Sequence, residues 1–404
     1  MRAKRKVIFL VSPDERDILY NAGDRAPLGI LYLSAALTKN GILNCVFDLN
    51  HQDYNVFLEA VKQQRPDDIG LSIPSSPSYK QIKRIAGEIK SDYPKINVFV
   101  GGPHVSAIPD CLEGIADASV VGYGEEAILK AVNGKRGIIE EKADINKHPI
   151  PDRTKLDSRL YSMFTGDLRT ATIVTSRGCP FSCVYCANHQ RKVEYREPDN
   201  IEEEIKLLKK QGYEAVYILD ENFVVKEKHF VSVAQVMKDN KMKYRMEMRA
   251  SDVTREKVKL FKETGCIETA IGIESGNDEM LMRTNKKTTV ETNTKAIEIF
   301  HEYGIPVKGF FILGLPGETY ETARQTIDYA EKMRNKGLTH ADFYALTPFP
   351  GSDIWENPGK FGIKILSKDF DKYLQKEDPV IETEDLENQQ IKELLQEARS
   401  RWKQ

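Results

Sequence analysis

The chain has 404 residues, more than one ordinary domain requires, and 40% of them are hydrophobic. Its 59 basic residues nearly balance its 61 acidic residues, so composition gives no reason to expect a nucleic-acid-binding surface. No apolar run approaches the roughly 18 residues of a transmembrane helix, and the short apolar run near the N-terminus indicates a strand rather than a signal peptide. We therefore expect a soluble, cytoplasmic protein of two or three domains.

The six cysteines form one cluster and three isolated positions. The clustered residues are Cys179, Cys183 and Cys186, and the isolated ones are Cys45, Cys111 and Cys266. This pattern is not a disulfide framework. It favours a reducing compartment and a metal site.

Residues 1–133 are predicted to form the first domain, because short apolar runs alternate there with helix-like segments. The predicted strands are 6–11, 43–48, 68–72, 96–101 and 118–121, and the predicted helices are 28–39, 54–64, 78–91, 107–115 and 124–133. This alternation predicts an α/β fold with a parallel sheet covered by helices on both faces. We expect a doubly wound, flavodoxin- or Rossmann-like order, with a ligand outside the carboxyl ends of the strands.

Residues 134–168 carry mixed charge and the segment HPIPDR, which predicts a linker. A second alternating series occupies residues 169–350. Its predicted strands are 170–175, 215–219, 243–249, 268–273, 306–312 and 341–346, and its predicted helices are 200–211, 226–239, 254–264, 290–303 and 319–336. Six strands and five helices predict a partial (β/α)6 barrel, because this segment lacks room for eight units. Residues 351–404 are predicted to be an extension that is helical at 385–402.

The segment SRGCPFSCVYCAN, residues 176–188, contains the clustered cysteines. A structural zinc site is disfavoured, because zinc usually takes four ligands in two Cys-x2-Cys pairs and only His189 lies near enough in sequence to complete four. Three ordinary buried thiols are disfavoured, because Gly178 and Pro180 indicate a loop. The remaining alternative is a 4Fe–4S cluster in which one iron lacks a protein thiolate and is open to a small molecule.

The C-x3-C-x2-C spacing, with Tyr185 before the last cysteine, resembles the radical S-adenosylmethionine (SAM) superfamily. The resemblance covers about 169–355 and implies that the three cysteines hold the cluster while SAM binds the open iron. It implies SAM contacts from residues in the cysteine loop and at the ends of later strands: Tyr185, Asp220, Glu221, Glu274, Ser275 and Gly314. In this scheme Tyr185 and Gly314 approach the adenine, Asp220 and Glu221 the amino group, and Glu274 and Ser275 the ribose. An alternative for Asp220 and Glu221 is that they cap the following helix.

The first domain resembles the cobalamin-binding domains that are fused to radical SAM barrels, through APLGILYLSAALTKNG, VFVGGPHVSAIPD and VVGYGEEAI. The resemblance implies cobalamin contacts from small or polar residues at strand ends: Ser72, Pro74, Ser75, Gly101, Gly102 and His104. The loop after the first strand lacks the Asp-x-His-x-x-Gly motif, so we expect no histidine under the cobalt. The alternative for His104 is a packing residue, and the alternative for the domain is loss of the cofactor.

Together these resemblances imply a cobalamin-dependent radical SAM enzyme. The expected reaction is methyl transfer to an unactivated carbon of a small-molecule, lipid or peptide substrate through a 5′-deoxyadenosyl radical, with electrons from a flavodoxin or ferredoxin. One alternative is a cyclase or rearrangement enzyme that uses or has lost cobalamin. The alternative of another class is a non-catalytic cobalamin or iron–sulfur sensor. Nucleic acid is not an expected partner, and the sequence assigns no residue a catalytic role.

Overall fold

The computed structural model of the chain describes residues 7–15, 22–142, 144–161, 163–188, 190–376 and 378–403. The chain divides into two compact units, residues 1–163 and 164–404. Within the described ranges, no helix combines the length and the apolar character needed to cross a bilayer. His189 lies outside the described residues.

The first unit is built on a six-stranded parallel sheet with the order β2-β1-β3-β4-β5-β6. Its strands are β1 (Val7–Ser12), β2 (Leu43–Asp48), β3 (Asp68–Ser72), β4 (Asn97–Gly101), β5 (Ala118–Val121) and β6 (Gly137–Glu140). Its helices are α1 (Leu28–Lys39), α2 (Tyr54–Gln64), α3 (Tyr79–Asp92), α4 (Pro103–Ala107) and α5 (Gly124–Val132). The order 2-1-3-4-5 confirms the doubly wound prediction and places the switch point, where ligands bind in such sheets, between β1 and β3.

Two elements of this unit differ from the prediction. The helix expected over 107–115 is wrong: α4 occupies Pro103–Ala107 and turns follow it. Pro103 suits a first helical position, whereas Pro109 cannot donate the amide hydrogen bond that a continuing helix needs. Strand β6 was not predicted, because Ile139 is its one buried residue and the four-residue run has no apolar periodicity.

The second unit contains a seven-stranded sheet with the order β15-β14-β13-β12-β11-β8-β7, in which only β7 is antiparallel to its neighbour. The strands of this sheet are β7 (Phe164–Thr165), β8 (Leu168–Ile173), β11 (Ala215–Ile218), β12 (Lys243–Met248), β13 (Cys266–Glu274), β14 (Val307–Leu313) and β15 (Leu338–Ala345). Two small hairpins pair β9 (Ser176–Arg177) with β10 (Glu194–Tyr195) and β16 (Ile363–Ile365) with β17 (Ile381–Thr383). Six parallel strands in an open order confirm the predicted partial barrel.

The helices of the second unit are α6 (Pro198–Lys210), α7 (Glu227–Asp239), α8 (Arg255–Thr264), α9 (Asp278–Arg283), α10 (Val290–Glu302), α11 (Tyr320–Arg334), α12 (Asp353–Glu356) and α13 (Asn388–Lys403). Their apolar faces pack against the sheet in one core. The core includes Ile391, Leu394 and Leu395 of α13, which are fully buried. The C-terminal segment is therefore an integral layer of this unit, because burying these three side chains removes a large apolar surface from water.

Candidate active site

The cysteine loop, residues 178–190, lies between β8 and α6, at the carboxyl end of the first parallel strand. Antiparallel pairing of β9 with β10 closes its base, and the Cys179 amide donates to the Gln190 carbonyl at 2.9 Å. Gly178 opens the loop with φ +97°, and a Cβ there would lie 2.6 Å from the Lys192 carbonyl oxygen. Glycine is therefore required at this point, where the chain enters the loop.

The three clustered thiols are half-buried, and Cys186 donates its amide to the Cys183 carbonyl at 3.0 Å. Burial raises the pKa of Cys179 and of Cys186, and the neighbouring thiols add to this effect. Across the described ranges, no three His, Cys, Asp or Glu side chains already form a group that could hold a metal ion. The three residues fit an iron–sulfur cluster through their donor chemistry, since three soft ligands share one short loop, and a bound cation would displace their protons.

Tyr185 stands inside the cysteine loop, and its Oη is buried with no hydrogen-bond partner among the described residues. Burial raises the pKa of Tyr185 well above its usual value, and the neighbouring Glu274 carboxylate and Cys183 thiol raise it further. The Tyr185 hydroxyl thus lies next to the Glu274 carboxylate and the Cys183 thiol, inside the cysteine loop.

Arg249 follows β12 and lies against the same loop. Its guanidinium is 3.5 Å from the centre of the Phe181 ring, and it donates to the carbonyls of Lys286 and Lys287. Its Nε is buried without a hydrogen-bond partner in the described part of the chain. This places a permanent positive charge beside Cys179, where it favours the thiolate form.

The two adjacent carboxylates after β11 have different surroundings. Asp220 is buried and accepts hydrogen bonds from the amide and hydroxyl of Thr175 and from the hydroxyl of Ser176, at 2.5–2.7 Å. Glu221 is exposed and accepts from the amide of Gly178, at 3.1 Å, beside the cysteine loop. Both oxygens of Asp220 are therefore engaged within the protein, whereas Glu221 has one oxygen for a ligand. Contact of either residue with SAM stays a prediction.

Glu274 and Ser275, at the end of β13, are both buried. Glu274 pairs with the Lys286 ammonium at 2.6 Å. Ser275 shares a hydrogen bond with the Thr326 hydroxyl at 2.9 Å and accepts from the Asn277 amide at 3.2 Å. The Ser275 hydroxyl thus stabilises the turn after β13, and only Glu274 belongs to the group of residues around Tyr185.

Gly314 follows β14 directly and has φ +86°. Its amide donates a hydrogen bond to the buried Glu318 side chain at 2.5 Å. A Cβ on Gly314 would lie 3.2 Å from Ile391 and 3.5 Å from Ile381. The structure thus gives this glycine a packing role against the C-terminal segment. Its predicted approach to adenine stays a prediction.

The predicted cobalamin residues of the first unit gather at the carboxyl ends of β3 and β4. Ser72 pairs with Gly101 across the two strands, and Pro74 follows in the half-buried loop. Gly102 has φ +111°, and a Cβ there would lie 2.7 Å from the carbonyl oxygen of Ile73. Small residues thus allow the backbone segments at this edge of the sheet, beside the switch point, to pack closely together.

Ser75 and Ser78 donate their hydroxyls to the buried carboxylate of Glu15, at 2.5 and 2.6 Å. Glu15 lies in the loop after β1, so this contact joins the loops on both sides of the switch point. The Nδ1 atom of His104 lies 2.9 Å from the Ser76 hydroxyl, and burial lowers the pKa of His104 to about 4. His104 is therefore a neutral, buried side chain in this structure, and its contact with cobalamin stays a prediction.

Comparison with known proteins assigns both units. The model of the B12 binding domain matches residues 19–132, and the model of the radical SAM superfamily matches residues 173–330. The chain joins a B12-binding domain to a radical SAM domain. The expected identity is thereby confirmed.

This B12-binding radical SAM protein is 26% identical to an uncharacterized methyltransferase of Pyrococcus horikoshii, over 97% of this chain and 91% of the relative. It is 28% identical to the anaerobic magnesium-protoporphyrin IX monomethyl ester cyclase of Rubrivivax gelatinosus, over 87% of this chain and 69% of the relative. The solved radical SAM methyltransferase TsrM of Kitasatospora setae, with cobalamin and a 4Fe–4S cluster bound, matches with a TM-score of 0.76 at 18% identity, covering 91% of this chain and 78% of TsrM. This last likeness concerns the fold.

The radical SAM domain of this chain contains the cysteine loop, and its B12-binding domain contains the predicted cobalamin residues. Sequence reasoning missed three residues that shape the two sites: Glu15, Lys286 and Glu318. Glu15 and Lys286 act through partners more distant in sequence, so no local spacing indicates their roles, whereas Glu318 accepts from the nearby amides of Gly314 and Leu315. One local signal lies next to Lys286. Asn285 has φ +55°, and asparagine adopts this left-handed conformation more readily than most residues, so it indicates a tight turn there.

Proposed function

We propose that this enzyme is a cobalamin-dependent methyltransferase that acts on an unactivated carbon of a small-molecule, lipid or peptide substrate. The observation that carries the proposal is the three-cysteine loop at the carboxyl end of β8, in a chain whose other unit is a B12-binding domain. The methyltransferase relative, which is matched along nearly its whole length, supports the reaction class.

When bound, the cluster and SAM supply reductive radical chemistry, and cobalamin supplies methyl transfer. The protein's own residues bind and orient these groups. Cys179, Cys183 and Cys186 would hold the cluster, and Arg249 would offset part of its negative charge. Glu221 would accept a hydrogen bond from the positively charged amino group of SAM, because its carboxylate is exposed.

For the first unit, we propose that Ser72, Pro74, Ser75, Gly101 and Gly102 line the cobalamin site. Glu15 would keep the loops after β1 and β3 together by accepting from Ser75. No histidine would lie under the cobalt, because His104 is buried against Ser76 and Tyr79. A flavodoxin or ferredoxin would supply electrons.

The cyclase relative supports a second candidate, a radical SAM cyclase. One assay separates the candidates, because the proposed methyltransferase uses SAM both as methyl donor and as radical source and leaves S-adenosylhomocysteine besides 5′-deoxyadenosine and methionine, whereas the cyclase leaves only the last two. The protein is reconstituted anaerobically with iron, sulfide and hydroxocobalamin, and then incubated with SAM and dithionite. S-adenosylhomocysteine formation that requires cobalamin supports the methyltransferase, and 5′-deoxyadenosine alone supports the cyclase. Neither product, with an intact cluster, would overturn both candidates in favour of a sensor.

A further inference from the structure

We propose that Lys286 is a positioning residue for SAM. Its ammonium holds the Glu274 carboxylate in place, and its backbone belongs to a segment, residues 284–287, that supports the cysteine loop. The inference rests on the proposed function, because Glu274 is a proposed SAM contact. No sequence motif singled out Lys286, and it would act on SAM through Glu274.

The backbone of Glu274 is strained. Its φ is +65°, a left-handed conformation that non-glycine residues adopt rarely and at an energetic cost. The register between β13 and β14 shifts between Gly272 and Glu274, and such an irregularity re-aims the side chains that follow it. The conformation persists only if the surroundings of Glu274 compensate for this cost.

Lys286 provides the compensating contact. Its Nζ lies 2.6 Å from Oε1 of Glu274, and only 9% and 8% of the two side chains are exposed. A buried carboxylate needs such a partner, because an uncompensated charge in the interior costs several kcal/mol. A Cβ on Gly272 would lie 2.6 Å from the Lys286 Nζ and would also collide with the Glu274 carboxylate. The ion pair therefore lies directly over the backbone of β13, where only glycine leaves room for it.

The backbone around Lys286 contacts the cysteine loop at two points. The amide of Val184 donates to the carbonyl of Thr284 at 3.2 Å. The side-chain amide of Asn285 donates to the carbonyl of Ser182 at 2.8 Å and to its hydroxyl at 2.9 Å. Both contacts involve residues between or next to the cysteines, so the segment supports the part of the loop that would hold the cluster.

Arg249 adds a third connection, since it donates to the Lys286 carbonyl while its guanidinium lies over Phe181 of the cysteine loop. Asn285 and Lys287, on either side of Lys286, have φ of +55° and +57°, which gives the segment a tight, non-helical shape. Arg249 and the neighbours of Lys286 thus connect Lys286, and through it Glu274, to the loop of the three cysteines. Removal of the Lys286 ammonium leaves the Glu274 carboxylate buried and strained without its ion-pair partner, and we expect it to leave its position.

The experiment compares Lys286→Met with Lys287→Met. Lys287 is the matched control, because it is adjacent to Lys286 in sequence and its side chain is exposed. The same substitution there removes a positive charge that does not contact Glu274. Lys286→Arg tests rescue by a residue that keeps the charge. Each protein is reconstituted anaerobically, and its SAM dissociation constant is measured by equilibrium dialysis without reductant. Iron content and thermal midpoint are measured on the same samples.

We expect Lys286→Met to weaken SAM binding about tenfold or more, which corresponds to about 1.4 kcal/mol. Its iron content should stay at the wild-type value. Lys287→Met should bind SAM as the wild type does, and Lys286→Arg should recover most of the affinity. A purely structural role would lower the thermal midpoint but leave the affinity of the remaining folded protein unchanged.

Equal SAM affinity in Lys286→Met and Lys287→Met would overturn the assignment of Lys286 and leave the proposed function intact. Absence of SAM binding in the wild-type protein with a full cluster would instead overturn the proposed function. If the methionine variant does not fold, Lys286→Gln replaces it, because glutamine keeps a hydrogen-bond donor without the charge. Weakened binding in that variant supports the proposal, and wild-type affinity overturns it.

Discussion

The carboxylate of Asp220 accepts two hydrogen bonds from Thr175, one from its backbone amide at 2.6 Å and one from its hydroxyl at 2.5 Å. This pair joins the segment that follows β11 to the segment that follows β8. The contact keeps the start of the cysteine loop next to Glu221, which accepts from Gly178. Two neighbouring carboxylates therefore have different surroundings: Asp220 is buried inside the protein, and Glu221 is exposed beside the cysteine loop.

This difference predicts opposite effects of two substitutions. Asp220→Asn should lower the free energy of unfolding by about 2 kcal/mol, because the nitrogen that replaces one carboxylate oxygen cannot accept from the buried donors on that side. Glu221→Gln should leave stability within about 0.5 kcal/mol of wild type, since the side chain is exposed, but should weaken SAM binding. Urea denaturation and equilibrium dialysis measure the two quantities. Equal stability of both variants would contradict the buried role of Asp220.

The clustered cysteines should bind iron and the isolated ones should not. We expect alanine variants of Cys179, Cys183 and Cys186 to lose most of the iron and acid-labile sulfide after anaerobic reconstitution. Cys266→Ala is the control, because Cys266 is buried in β13 and burial raises its pKa to about 12, so it behaves as a small apolar side chain. Loss of iron in the Cys266 variant at wild-type stability would contradict this division.

Glu318 should make the stability of the protein depend on pH. It is buried, its pKa is raised from 4.5 to about 8 by burial, and its Oε1 has no partner among the described residues. Between these two pH values the folded protein holds a proton that the unfolded chain has lost. Stability should therefore fall as pH rises from about 4.5 to about 8, by up to about 1.4 kcal/mol per pH unit.

Glu318→Gln removes the titrating group while its carbonyl can still accept from the amides of Gly314 and Leu315. Denaturation of both proteins at pH 5, 6.5 and 8 provides the measurement. We expect the difference in stability between variant and wild type to shift in favour of the variant as pH rises. A difference that stays constant over this range would exclude Glu318 as the titrating group.

Gly102 should be required for the edge of the first sheet. An alanine there adopts an unfavourable positive φ and places its Cβ 2.7 Å from the Ile73 carbonyl oxygen. We expect Gly102→Ala to lower stability by about 2 kcal/mol and to reduce cobalamin bound after reconstitution, as measured by corrin absorbance. Gly87→Ala in α3 is the matched control, because its Cβ has open space and alanine favours helix. Full cobalamin occupancy in Gly102→Ala would remove this residue from the proposed site.

Most of the fold could be predicted because its signals are local. Each parallel strand of the second unit is a short apolar run next to a helix with 3.6-residue periodicity, so both types of element were predicted in the correct order. The failures have local causes too: Pro109 ends α4 early, and β6 buries only Ile139. The cysteine motif with Tyr185 could likewise be recognised from the sequence, because a cluster needs its ligands close together in sequence.

The surroundings of the predicted site residues could not be predicted from the sequence. Asp220 and Glu221 are adjacent and chemically alike, and only the positions of Thr175 and Gly178 make one internal and the other accessible. Lys286 contacts Glu274 because β13 and the segment after α9 fold back on each other, and no spacing rule relates residues brought together by a strained turn. Periodicity and metal-ligand spacing are short-range properties of a chain, so they specify elements and motifs. Burial, ion pairing and pKa depend on which distant residues come into contact, and those contacts exist only after the chain has packed.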